Sequence, residues 1–182
     1  MKPFALLYAM LLYSMLLFAA PAQALYDPPP EPAIAAVEGA WAGTLRYRDY
    51  QHPDHFETLP TRTTIVLSAP DTLTLHAIYD DGPGKTVHSY EQMTFNIKAH
   101  RLQWRYGLKA DDTGSYDIVT NTSDTDCHRF TAERKESDSK GLSRYTIALC
   151  PTQIEFVKFE IDAQGVSLER SRTVLSRASS TP

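Results

Sequence analysis

The sequence predicts an all-β fold, a single up-and-down antiparallel β-barrel of about ten strands. Three observations predict it. Apolar residues recur at period two rather than at the helical period of 3.6. Segments of roughly eight to twelve residues are punctuated by Gly, Pro, Asp or Ser, as in a meander. Each segment has one apolar face only, which a closed barrel or a sandwich buries with no helix to cover it.

Residues 39–50 set the pattern. Trp41, Gly43, Leu45 and Tyr47 share one face of a strand, and Arg46 and Arg48 share the other. Strands are expected near 37–50, 60–69, 72–80, 86–98, 101–108, 115–122, 127–136, 142–150, 154–161 and 166–177. Leu73, Leu75, Ala77 and Tyr79 face one way. Leu102, Trp104, Tyr106 and Leu108 alternate with Arg101, Gln103 and Arg105. The opposite faces carry Arg, Lys, Glu and Thr, which excludes the lipid-facing apolar band of a membrane barrel.

Hairpin parity tests the scheme, because opposed residues in an antiparallel pair have a constant index sum and share a face. A turn at Asp138-Ser139 pairs Phe130 with Ile147 and Ala132 with Tyr145 inside, and Glu133 with Arg144 outside. The same register sets Cys127 directly opposite Cys150. A turn over Asp162–Gly165 pairs Phe159 with Leu168 inside and Lys158 with Glu169 outside.

The chain begins with Lys2, an apolar run from Phe4 to Ala20, and Ala22-Gln23-Ala24. This is the pattern of a secretory signal cleaved after Ala24, with Leu25 in place of a lipoprotein's cysteine. The mature protein is therefore expected to be periplasmic or secreted, with no membrane span after cleavage. Residues 25–35 hold Pro28, Pro29, Pro30 and Pro32 and read as an extended lead segment. The barrel is expected over 36–178, and 179–182 as a flexible tail. The two cysteines of an exported chain predict one disulfide, Cys127–Cys150. With 22 acidic against 18 basic residues and no basic stripe, a nucleic-acid partner is excluded.

Gly39-x-Trp41 resembles the first-strand signature of the lipocalins. That resemblance implies a lipocalin-like, calycin-type barrel in which an Arg on the last strand packs over the tryptophan. Arg172 is the matching position, so Gly39, Trp41 and Arg172 are expected to close one end of the barrel by a cation–aromatic contact. The ten-strand count is closer to the fatty-acid-binding proteins. The chain departs from both families. Pro151-Thr152-Gln153 leaves no room for the lipocalin helix, and Gln51–Thr61 is too short for a helical lid.

Function must come from polar groups on the inward faces. Glu91, Tyr106, Tyr145 and Arg170 are expected to share one cavity, since an unpaired polar group on an apolar face costs free energy. Glu91 and Arg170 either pair with each other, with Glu155 or with cavity water, or else Arg170 receives an anionic head group, as guanidinium forks match carboxylates. The second reading resembles the head-group site of fatty-acid-binding proteins, although Arg172 stands where their motif has Tyr. A ligand's apolar part would lie on Leu75, Met93, Phe95, Phe130 and Ile147. His52-Pro53-Asp54-His55 is a weak metal pattern and reads as a polar loop at the barrel mouth. No nucleophile, zinc-protease, phosphate-loop or cofactor motif is present. The expectation is a non-enzymatic carrier of a small hydrophobic or amphipathic ligand. The alternative is a module that binds a protein partner, such as an exported hydrolase it inhibits.

Overall fold

The computed structural model describes residues 32–109, 112–124, 127–136 and 141–178. The signal, residues 25–31 and the 179–182 tail lie outside the described residues. A single helical turn, α1 (Pro32–Ala35), precedes ten strands: β1 (Gly39–Arg48), β2 (Phe56–Ala69), β3 (Thr72–Asp80), β4 (Thr86–Asn96), β5 (Arg101–Tyr106), β6 (Thr113–Ser123), β7 (His128–Lys135), β8 (Leu142–Leu149), β9 (Gln153–Ile161) and β10 (Ser167–Arg177). Each strand pairs antiparallel with its sequence neighbours, and β10 returns to β1, so the sheet closes on itself. Closure is what removes the two exposed edges that an open meander would leave. At the seam β1 and β10 approach closely at Gly43. A Cβ there would lie 1.9 Å from the Val174 carbonyl oxygen, so only glycine fits.

The antiparallel order gives the barrel two unlike ends. Connections after even-numbered strands, together with α1, gather at one end; connections after odd-numbered strands gather at the other. The first end is a floor. Ile34, Val37 and Trp41 are fully or nearly fully buried there. Ile34 therefore belongs to the lead segment in sequence but to the core in space, and residues 32–35 are helical rather than extended. Just above, Phe95 of β4 and Phe130 of β7 meet across the lumen with ring centroids 5.0 Å apart. These strands are not neighbours in the sheet, so the contact spans and fills the interior. Buried apolar area of this kind contributes roughly 25 cal/mol per Å² and is the main force holding the walls together.

The register of β7 with β8 is the expected one: Phe130 opposes Ile147, Ala132 opposes Tyr145, and Glu133 opposes Arg144. The last pair is an outer-face ion pair with an N–O distance of 2.6 Å. Cys127 and Cys150 are disulfide-bonded, with Cα atoms 4.3 Å apart.

The register of β9 with β10 differs from expectation by one residue. Leu168 opposes Glu160 and Glu169 opposes Phe159, and a bulge then makes Ser171 the partner of Lys158. A one-residue slip exchanges the two faces of a strand. Phe159, expected inside, therefore lies outward opposite Arg144, and past the bulge Ser171, Thr173 and Leu175 share the inner face while Arg172 points out. A second bulge, between Ile118 and Thr120, acts similarly on β6. It places Thr120, expected inside, opposite the outward Thr131.

Arg172 accordingly makes no contact with Trp41. It opposes Arg46 across the seam and donates to Glu155 and to Glu169, the latter at 2.6 Å. The cation over Trp41 is Arg177, whose guanidinium carbon lies 4.5 Å from the ring centroid. Trp41 and Arg177 are cross-strand partners. Arg177 also donates to three backbone carbonyls, those of Pro151, Glu38 and Ala36. It thereby ties the β8–β9 connection to the segment before β1. Gly39 has a φ of +133°, and a Cβ there would stand 2.8 Å from the Arg177 guanidinium. The Gly-x-Trp pattern thus has a physical reason: glycine clears the path of the arginine that covers the tryptophan.

Candidate functional site

Above Phe95 and Phe130 the lumen is open. The space has a volume of about 310 Å³ and is reached from the end that carries the β1–β2 loop. The apolar wall includes Leu45, Leu75, Ala77, Phe156 and Leu175, and the polar wall includes Glu91, Tyr79, Tyr106 and Tyr145. The site is positioned by rigid elements. Glu91 of β4 stands between its cross-strand partners Leu75 of β3 and Tyr106 of β5. Each faces inward because alternation leaves no other choice within an unbulged strand.

Three of the four expected site residues therefore share the cavity, and Arg170 does not line it. Arg170 is the extra residue at the β10 bulge. Its side chain is buried beside the Tyr50 ring, with the guanidinium carbon 4.0 Å from the centroid, and its Nε lies 3.4 Å from Glu160. Tyr50, on the β1–β2 loop, does line the cavity. Arg170 is thus a support under the mouth and not a group in the lumen. It pairs with neither Glu91 nor Glu155; the latter is taken by Arg172. The expected apolar resting place is also corrected. Of Leu75, Met93, Phe95, Phe130 and Ile147, only Leu75 lines the cavity. The other four are packed into the core below it.

Glu91 is held by two donors. Trp104 Nε1 donates to one carboxylate oxygen at 2.7 Å and Ser89 Oγ to the other at 3.0 Å. Burial pushes the Glu91 carboxyl above its ordinary range, and the two hydrogen bonds oppose that shift. Trp104 is the centre of an aromatic wall. Its ring stacks at 5.5 Å on Tyr106, tilts at 4.5 Å against Tyr145 and meets Phe156 edge-on at 5.8 Å. The Tyr106 hydroxyl lies 2.9 Å from that of Tyr145 and 3.4 Å from that of Tyr116. Burial, in the main, pushes the phenols of Tyr106 and Tyr145 upward, so both stay protonated. Tyr79 is pushed up to about 12, by burial and then by the charge of Glu91. Sequence alternation found Glu91, Tyr106 and Tyr145 but gave Trp104 only as core. Its indole N–H is what fixes the carboxyl, and a tryptophan two residues before an inward tyrosine was the available signal.

A raised folded-state pKa has a definite consequence. The folded protein holds the Glu91 proton more tightly than the unfolded chain does. That contribution to stability is complete below the unfolded value of about 4.3 and is lost as pH rises through the folded value. Glu91→Gln removes the titration. Its thermal stability relative to wild type is expected to improve as pH rises above the unfolded value of about 4.3. Parallel melting curves for the two proteins over that range would show that the carboxyl titrates as in water.

The loop histidines do not converge. His52 Nδ1 lies 3.4 Å from Asp49, and His55 Nε2 lies 2.9 Å from Glu57. Among the described residues, no three His, Cys, Asp or Glu side chains are grouped to hold a metal ion. No helix among the described residues is long and apolar enough to cross a membrane.

No family model matches the chain, and no curated protein matches it in sequence. Solved structures do match it in shape. Rv2717c from M. tuberculosis superposes with a TM-score of 0.57 at 11% identity, covering 82% of this chain and 99% of that one. The S-type phycobiliprotein lyase CPES from Guillardia theta superposes with a TM-score of 0.53 at 9% identity, covering 81% of this chain and 92% of that one. At such identities the likeness concerns the fold, and the fold is that of a lipocalin-like, calycin-type barrel.

Proposed function

We propose that the protein is exported and binds a small apolar or amphipathic molecule in the lumen of its barrel. The observation that carries this reading is the cavity of about 310 Å³ above a filled floor, with an apolar wall facing a polar one. Its size is at the lower end of small-molecule sites, and an apolar lining with a few placed polar groups is their usual character. A barrel serving only as a scaffold for outer loops has no need of such a cavity. Glu91, Tyr106 and Tyr145 are the polar contacts in this reading, and Leu75, Phe156 and Leu175 the apolar ones. Export is supported by the pattern of residues 1–24 and by the disulfide, since such bonds persist in oxidising compartments.

The test is titration of the mature protein with a neutral, environment-sensitive naphthalene dye. Wild type should enhance the dye's emission saturably. Ala77 is small, buried and on the cavity wall. Ala77→Trp should fill the lumen and abolish the enhancement, and Ala77→Leu should weaken it, with the far-ultraviolet dichroism of both unchanged. A dye that ignores wild type, or one that binds Ala77→Trp equally well, would overturn the lumen as the binding site.

A further inference from the structure

We infer that the lumen site selects organic amines: a cationic ammonium group held by Glu91 and framed by the rings of Trp104, Tyr106 and Tyr145. This inference rests on the carrier reading and names the class of ligand. It also reverses the charge that the sequence suggested, because Arg170 was expected inside and is not.

The first support is the charge inventory. Among the described residues lining the cavity, Glu91 is the one carboxyl, and none is a lysine or arginine. Two arginines near the open end are each set against a carboxylate outside the cavity. Arg170 lies against Glu160, and Arg134 donates to both oxygens of Glu136 at 3.0 and 3.2 Å. Lys158, between Tyr145 and Ser171 in the sheet, helps to lower the Glu136 carboxyl from a distance and does not line the cavity. An anion entering the lumen would meet the Glu91 carboxyl with no lysine or arginine on the wall beside it. A cation would meet that carboxyl without displacing any existing pair.

The second support is hydrogen-bonding capacity. An ionised carboxylate offers roughly four acceptor positions. Trp104 and Ser89 use one on each oxygen. The remaining positions belong to a side chain on the cavity wall. An ammonium group carries three N–H donors and no acceptor, which complements them. Tyrosine hydroxyl oxygens at Tyr106 and Tyr145 supply further acceptors on the same wall.

The third support is the aromatic frame. The face of an aromatic ring is electronegative and attracts a cation within about 6 Å, tryptophan most strongly. The Trp104 ring lies 5.5 Å from that of Tyr106 and 4.5 Å from that of Tyr145, and all three line the cavity. Burial pushes the Glu91 carboxyl upward, and a bound cation would oppose that push.

Three ligands of nearly one shape separate the possibilities: 2-phenylethylamine, 2-phenylethanol and phenylacetate, each titrated by calorimetry and by displacement of the neutral dye. The amine should bind about tenfold or more tighter than the carboxylate, as expected for a charged hydrogen-bonded contact, with the alcohol between them. Glu91→Gln should erase the amine's advantage over the alcohol. Unchanged far-ultraviolet dichroism reports that the variant's fold is intact, and Glu91→Asp should recover part of the preference. If the dye and the alcohol bind but the amine has no advantage, or keeps it in Glu91→Gln, the amine inference is overturned and the carrier reading stands. If neither the dye nor any of the three binds wild type, both are overturned.

Discussion

Trp41→Ala is expected to lower stability by roughly 3–5 kcal/mol, the range for deleting a large buried aromatic. For a domain of this size that corresponds to a fall in melting temperature on the order of 10 °C. The side chain is 1% exposed, and three layers depend on it. Its Nε1–H donates to the Val37 carbonyl at 2.9 Å, which holds the segment leading out of α1 against the floor. Its face carries Arg177, whose three backbone bonds brace the β8–β9 connection. Its edge packs into the cluster that includes Ile34, Val37 and Leu175. Removing the indole leaves a hole that the closed sheet cannot shrink around, so the cost includes the cavity as well as the lost contacts. Trp41→Phe keeps most of the volume and loses the N–H, and should cost about 1–3 kcal/mol for the Val37 carbonyl left without its donor. Urea and thermal unfolding measure both. An unchanged melting temperature for Trp41→Ala would show that the floor does not depend on this residue.

The paired replacement Cys127→Ser with Cys150→Ser is expected to cost about 3 kcal/mol on the chain-entropy account of a loop of this length. The bond joins two connections at the floor across a sequence separation of 23 residues. The strands on either side are already in register, so the native state should change little. The loss should appear in unfolding of the variant and equally in wild type measured under reductant. A variant as stable as oxidised wild type would mean the β7–β8 hairpin needs no covalent support. The effects of this replacement and of Trp41→Ala should not add, because Arg177 connects Pro151, next to Cys150, with the ring of Trp41.

How far the sequence discloses this structure depends on bulges and on turn register: β10 is bulged, and in unbulged β9 the β9–β10 turn sets Phe159 outward where alternation alone put it inside. In β7 and β8, apolar packing, the Glu133–Arg144 pair and the two cysteines all require one register, and alternation alone finds it. In β3, β4 and β5 the same alternation places Glu91, Tyr106 and Leu75 on one wall. In β10 it fails at Arg170. An inserted residue leaves no mark in the local pattern, because Ser171, Thr173 and Leu175 read as plausibly outward as Arg172 and Val174 read inward. Every assignment beyond the bulge is then exchanged, including the arginine over Trp41. Position along the strand was a better guide than parity. Trp41 sits near the start of β1, so its partner on an antiparallel last strand has to come from that strand's far end, where Arg177 is. The turn at Pro32–Ala35 was hidden for a different reason: proline-rich composition suggests an extended chain, while burial of Ile34 is a tertiary fact.

The two unlike ends of the barrel bear on how such a protein can change over generations. The bonds that hold the wall closed, namely the disulfide, the Trp41–Arg177 stack and the Phe95–Phe130 contact, all lie toward one end. The loops at 49–55, 81–85 and 162–166 lie at the other, where most of their residues are exposed. Substitutions and insertions there are expected to alter which molecules enter while leaving folding almost untouched. A lineage built on this plan can therefore exchange one cargo for another by drifting at its rim, with selection acting on entry and selection on foldedness falling on separate sets of residues.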